Sequence, residues 1–154
     1  MAAFDEFLSL SVVLTGYPQF RLLGTGQTQL YFSTVTDVVG EKAVNELLGT
    51  FVNVRKAAGG DETKMESLMR SEIFSDEKIG PIARNLIKLW YVGVWYQLPR
   101  EWRDAYGARE KDVNFVPSPA SYAEGLLWPT IDANPSGAKG PGYGTWALPP
   151  RISV

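Results

Sequence analysis

LIKLWYVGVWY, Leu86 to Tyr96, carries four aromatic residues, five aliphatic ones, one Gly and one charge. At about 100° per residue, Leu86, Ile87, Trp90, Gly93 and Val94 share one helical face. Leu89, Tyr91, Val92, Trp95, Tyr96 and Leu98 spread over the others. A surface helix keeps one apolar stripe, whereas a helix apolar nearly all round is buried on more than one side. The pattern predicts a helix with Pro81 in its first turn, where the missing N–H costs nothing, running to about Leu98 and ended by Pro99. Two arrangements would cover its second face. It is either a central helix wrapped by its own domain, or a helix shared with a second protein, since aromatics are enriched at interface centres.

Working outward from this stretch, the remaining patterns are helical. Phe4, Phe7, Leu8, Leu10 and Leu14 have helical spacing, Asp5 and Glu6 favour the first turn, and Gly16 with Pro18 stops the segment. Gln27–Gly40 mixes strand-type residues with helical spacing at Leu30, Tyr31, Val35, Val38 and Val39. It reads as helix because another helical pattern follows with no hairpin turn between them. That next pattern places Val44, Leu47, Leu48, Phe51 and Val52 on one face and ends at Gly59-Gly60. Asp61 is the expected N-cap of a short helix, DETKMESLMR. Ser75 and Asp76 open the segment leading to the long helix. PREWRDAYGAREKDVNF is expected to be loop with a turn or two of helix, and Ser118–Trp128 a short helix stopped by Pro129. Five or six helices and no sheet are expected. The fold class is mostly α: a helical domain over 1–128 and an extended Gly/Pro/aromatic arm over 129–154, packed on the domain or on a partner.

Composition removes whole classes of chemistry. The 154 residues contain no His and no Cys, so an imidazole base, a nucleophilic thiol, a thiolate zinc site and a Ser-His-Asp triad are excluded. The net charge of −2 and the absence of a basic run argue against nucleic acid as the main partner. No stretch reaches the ~18 apolar residues of a membrane span.

Few residues invite a catalytic reading. The glycines of GAKGPGYGTW resemble a phosphate loop, but no strand precedes them, no helix follows, and the Lys is misplaced. Tyr143, Trp146 and Leu148 are poor residues for free disorder, so an extended arm whose aromatics insert into something fits better. Most carboxylates sit where solvation and helix-end electrostatics explain them. Glu124, among Tyr122, Leu126, Leu127 and Trp128, is either a buried acid or a helix-face carboxylate paired with a cation. Of the five Trp and seven Tyr, only Tyr17 and Tyr31 precede Trp90, which puts the expected partner surface in the C-terminal half.

FLSLSVVLTG, NLIKLWYVGVWY, SYAEGLLW and PGYGTWALPP, in that order between Phe4 and Pro150, resemble the small subunit of bacterial flavin-dependent sugar and polyol dehydrogenases, the sorbitol, fructose, glucose and glucoside-3-dehydrogenase complexes. The resemblance implies a non-catalytic accessory subunit without a cofactor. Its partner would be a large catalytic subunit of the glucose-methanol-choline oxidoreductase type that holds FAD, often with a cytochrome c subunit as electron acceptor. Such subunits support the folding of the partner and, in many members, its export by the twin-arginine route. A periplasmic location follows from the resemblance, and a cytoplasmic one if Met1 is the native start, because MAAFDEF carries no twin-arginine leader. With no Cys, the complex would be held non-covalently. The expected interface is Trp90, Tyr91, Trp95, Tyr96, Trp128, Tyr143 and Trp146, with no catalytic, cofactor or metal residue. The rival readings are a self-associating helical protein and a small cofactor-free enzyme using Glu124 and Tyr122.

Overall fold

A computed structural model describes residues 2–133. Among these residues the chain is mostly helical and forms no strand ladder. In order, the helices are α1 (Ala2–Thr15), α2 (Gln19–Gly24), α3 (Thr28–Val39), α4 (Glu41–Ala58) and α5 (Glu62–Leu68). A π-helical turn (Met69–Phe74) follows, then α6 (Ile79–Val92), α7 (Arg100–Tyr106), α8 (Pro119–Ala123) and α9 (Leu127–Thr130).

Local chemistry sets most of the boundaries. Gly16 and Gly59 leave α1 and α4 in left-handed conformations that only Gly adopts cheaply. Asp61 caps α5 by accepting the Lys64 N–H at 3.1 Å. Asp76 plays the same part before α6, accepting the N–H groups of Lys78 at 2.8 Å and Ile79 at 2.9 Å. The Asp61 helix does not stop at Arg70: helical backbone continues through the π-turn to Phe74. There Gly80 lies so close to the Phe74 carbonyl that an added Cβ would come within 2.7 Å of its oxygen. α2 follows Pro18 and was not expected from the pattern; of its residues only Leu22 is buried.

The quoted stretch is half helix. α6 ends at Val92, not near Leu98, with Gly93 at φ +78° as its left-handed C-cap. Beyond it the backbone is extended, and Trp95 pairs antiparallel with Phe115 through N–H to O distances of 2.9 and 3.0 Å in the two directions. Exposure therefore alternates beyond Gly93: Trp95 is buried, and Val94 and Tyr96 are half-buried. Within α6, Ile79, Ile82, Ala83, Leu86, Leu89 and Trp90 form one buried stripe, while Arg84 and Lys88 face solvent. The apparent second apolar face came from extending the helical period past its cap. α6 packs against α1, α3, α4, α9 and the π-turn. Fully burying each Leu or Ile of that stripe contributes roughly 1.5–3 kcal/mol.

The C-terminal part also departs from the expected single helix over Ser118–Trp128. It is two short helices, α8 and α9, separated at Glu124–Leu126. Pro129 lies inside α9 rather than ending it, so the first residues of the expected arm are helical. The remaining arm, including Tyr143 and Trp146, lies outside the described residues.

Candidate partner interface

The five aromatics of the expected interface that fall among the described residues do not share one environment. Trp90 and Trp95 are core residues, with 1% and 0% exposure. The Trp90 indole N–H donates to Ser11 Oγ at 3.1 Å, and Ser11 in turn donates to the Phe7 carbonyl. The Trp90 ring meets Tyr31 edge-on at 4.8 Å. Trp95 donates its indole N–H to Asp112 Oδ1 at 2.9 Å. Both side chains are used up inside the domain, and in this fold neither has a surface to offer a partner. The reason is legible after the fact: α6 turns Trp90 inward in register with Leu86, and the extended segment turns Trp95 inward by alternation.

Tyr91, Tyr96 and Trp128 are half-buried. Tyr91 sits on the flank of α6, donating to the Thr15 carbonyl at 2.6 Å and lying 6.2 Å from the Tyr17 ring. Burial raises its pKa, and the neighbouring Tyr17 adds to the shift. Tyr17 hydrogen-bonds Thr130 of α9 at 2.6 Å and carries the Arg21 guanidinium 5.6 Å above its ring. Trp128 stacks edge-on against Tyr122 at 5.4 Å and donates its indole N–H to the Tyr122 carbonyl at 2.9 Å. Tyr17, Tyr91, Tyr122 and Trp128 thus belong to one region, built from the end of α1, the end of α6 and α8–α9. Tyr96 lies apart from it, under the Lys88 ammonium at 5.5 Å.

Two glycines allow this region to assemble. An added Cβ on Gly93 would lie 2.3 Å from the Ser121 carbonyl oxygen, and one on Gly125 would lie 2.7 Å from the Tyr91 oxygen. The α8–α9 segment therefore rests on the C-terminal end of α6 backbone against backbone. The Leu126 N–H donates to the Trp90 carbonyl at 3.0 Å, capping α6 from outside. Polar groups lock the same segment to the residue that precedes α3: Gln27 Oε1 accepts from Ser118 Oγ at 3.2 Å and Ser121 Oγ at 3.0 Å. Beside them, burial pushes the Tyr31 hydroxyl up to about 12; the nearby Ser121 hydroxyl offsets part of the shift and the Glu124 charge adds to it.

Around the aromatic region the surface keeps large apolar groups. Phe20 and Leu23 of α2 are 71% and 46% exposed, and Ile131, just past α9, is 56% exposed. Sequence reasoning missed Phe20 and Leu23 because it left 19–24 without a helix. The FRLL run, following Pro18, was the available signal.

The enzyme-type candidates are ordinary by comparison. Glu124 is half-buried where α8 ends, and Tyr122 is engaged with Trp128. Among the described residues there is no group of three or more acidic side chains arranged to hold a metal ion. None of their helices is long and apolar enough to cross a membrane.

No family model matches the chain, and neither curated proteins nor solved structures give a match to it.

Proposed function

We propose that this chain is a non-catalytic accessory subunit that binds and stabilises the FAD-containing catalytic subunit of a sugar or polyol dehydrogenase. The observation that carries the proposal is the group of half-buried aromatic side chains Tyr17, Tyr91 and Trp128, with Phe20 and Leu23 exposed on the following helix α2 and Ile131 exposed just past α9. Half-buried Tyr and Trp side chains positioned by internal hydrogen bonds are the residue types that dominate protein interfaces. The chain itself lacks imidazole and thiol chemistry. The resemblance of four sequence blocks to the dehydrogenase small subunits is what points to the partner, a flavoprotein of the glucose-methanol-choline type, with a cytochrome c subunit as electron acceptor and a periplasmic site of action.

The test is expression of a glucose-methanol-choline oxidoreductase from the same source with and without this chain, followed by size-exclusion chromatography read at the flavin absorbance band. Co-elution of this chain with a yellow large subunit that is insoluble alone is the expected result. A colourless chain that elutes by itself and leaves the oxidoreductase unaffected defeats the proposal. A homodimer under the same conditions would favour self-association through the same surface.

A further inference from the structure

The chain from Ser118 to Ala133 crosses the C-terminal end of α6 as a strap. The backbone before it is pinned, because Phe115 exchanges both hydrogen bonds with Trp95, so a pivot falls at Val116–Pro117. Within the strap only Ser121, Gly125 and Leu126 are buried, and Leu126 is the one large apolar side chain among them. α6 by contrast buries Ile79, Ile82, Leu86, Leu89 and Trp90. The strap's helices are five and four residues long, far short of the ~12–15 residues an isolated helix needs in water. Polar contacts fasten it: Ser118 and Ser121 donate to Gln27 Oε1, the Leu126 N–H donates to the Trp90 carbonyl, and Thr130 pairs with Tyr17. Water replaces each of these bonds when the strap lifts, so their net worth is small. Where Gly93 meets Ser121 and Gly125 meets Tyr91, backbone lies on backbone and neither glycine has a side chain to interlock.

We propose that residues 118–133 open and close as one unit while the body of α1–α6 stays folded. Segments that bury little apolar surface and are held by water-exchangeable hydrogen bonds open at a lower free energy than the core they cover. Closure has a product. The strap carries Trp128 and Ile131, and Thr130 ties it to Tyr17, so the closed state sets these side chains beside Tyr91. The open state takes that aromatic region apart. The strap is thus a switch on the surface rather than a fixed part of it. The motion belongs to the isolated chain and does not rest on the flavoprotein reading.

Native-state hydrogen exchange of the full chain, followed amide by amide at low denaturant, tests this. The N–H groups of Glu124 and Leu126 report the strap, bonded to the Ala120 and Trp90 carbonyls, and those of Leu86 and Leu89 report α6. The strap amides are expected to be protected at least about tenfold less than the α6 amides, with almost no denaturant dependence, while the α6 amides follow global unfolding. Equal protection and equal denaturant slopes at all four positions overturn the proposal. Val54→Ala, at a buried position of α4, gives a second readout. The body it weakens stays folded when the strap opens. Exchange at Leu86 and Leu89 should therefore speed up several-fold while Glu124 and Leu126 keep their rates. An equal acceleration at all four also overturns the proposal. Neither experiment includes a flavoprotein, so failure here leaves the accessory-subunit reading standing, and the reverse holds.

Discussion

Asp112 is 2% exposed, and its carboxylate accepts three contacts: the Trp95 indole N–H at 2.9 Å and the Leu98 N–H at 3.0 and 3.2 Å. It fastens the 108–115 loop to the extended segment after α6. Asp112→Ala strands two buried donors and is expected to cost about 2–4 kcal/mol, read as a lower urea midpoint; Asp112→Asn keeps an acceptor and should cost less. Gly93→Ala combines a positive φ with a Cβ 2.3 Å from the Ser121 oxygen. A loss of roughly 2–3 kcal/mol is expected from equilibrium unfolding, and a near-neutral result would mean that α8 does not rest on α6 as described. Tyr31 gives a pH signature. Its hydroxyl ionises near 10 in the unfolded chain and near 12 when folded. Between those values the unfolded state binds fewer protons, so stability holds below pH 10 and falls from pH 10 to 12. Tyr31→Phe should flatten that slope by close to one proton. At this scale the sequence was only partly readable. It flagged the aromatics, but the choice between core and surface depended on Ser11, Asp112 and Ser121, whose contacts lie 17 to 94 residues away in the chain.

The elements that were legible have local causes. α1, α3 and α4 follow from apolar spacing and terminal glycines, and α5 from Asp61. Asp61→Ala should destabilise the domain by about 1 kcal/mol. Because α5 is short, hydrogen exchange should report the loss first across Glu62–Leu68. The C-terminal end of α6 was misplaced because VWY after Gly93 continues the apolar content while changing its period from helical to alternating. Gly followed by β-branched and aromatic residues was the available signal. The break between α8 and α9 had no such signal: it arises because Gly125 must approach the Tyr91 carbonyl, a demand set by tertiary packing. The π-turn likewise answers to packing, with Gly80 against the Phe74 carbonyl and Arg84 donating to the same oxygen at 2.9 Å.

For the molecule as a whole, mostly α architecture was fully readable from the sequence, because helical periodicity recurs along nearly every segment. The sequence placed the expected partner surface in the aromatic C-terminal half, whereas the exposed apolar groups fall in both halves: Phe20 and Leu23 as well as Ile131. Tyr17, in the turn between α1 and α2, contacts Tyr91 and Thr130 and so brings α2, with Phe20 and Leu23, next to the C-terminal aromatics. Phe20→Asp with Leu23→Lys should leave the stability of the isolated chain within about 0.5 kcal/mol, since both side chains are largely exposed. It should also lower co-elution with the flavoprotein. Unchanged co-elution would move the interface away from α2.

The fastening of α8 to Gln27 has a consequence for synthesis. Domains acquire structure from the N-terminus as they are made. Yet the Ser118 and Ser121 hydroxyls reach back 91 and 94 residues, and Leu126 supplies the outside cap on the Trp90 carbonyl. A nascent chain released before Ser118 therefore lacks both hydroxyl donors to Gln27 and the outside cap on the Trp90 carbonyl. Termination upstream of Leu126 is expected to yield a fragment that aggregates more readily than the folded domain, which centrifugation of the translated truncation would show.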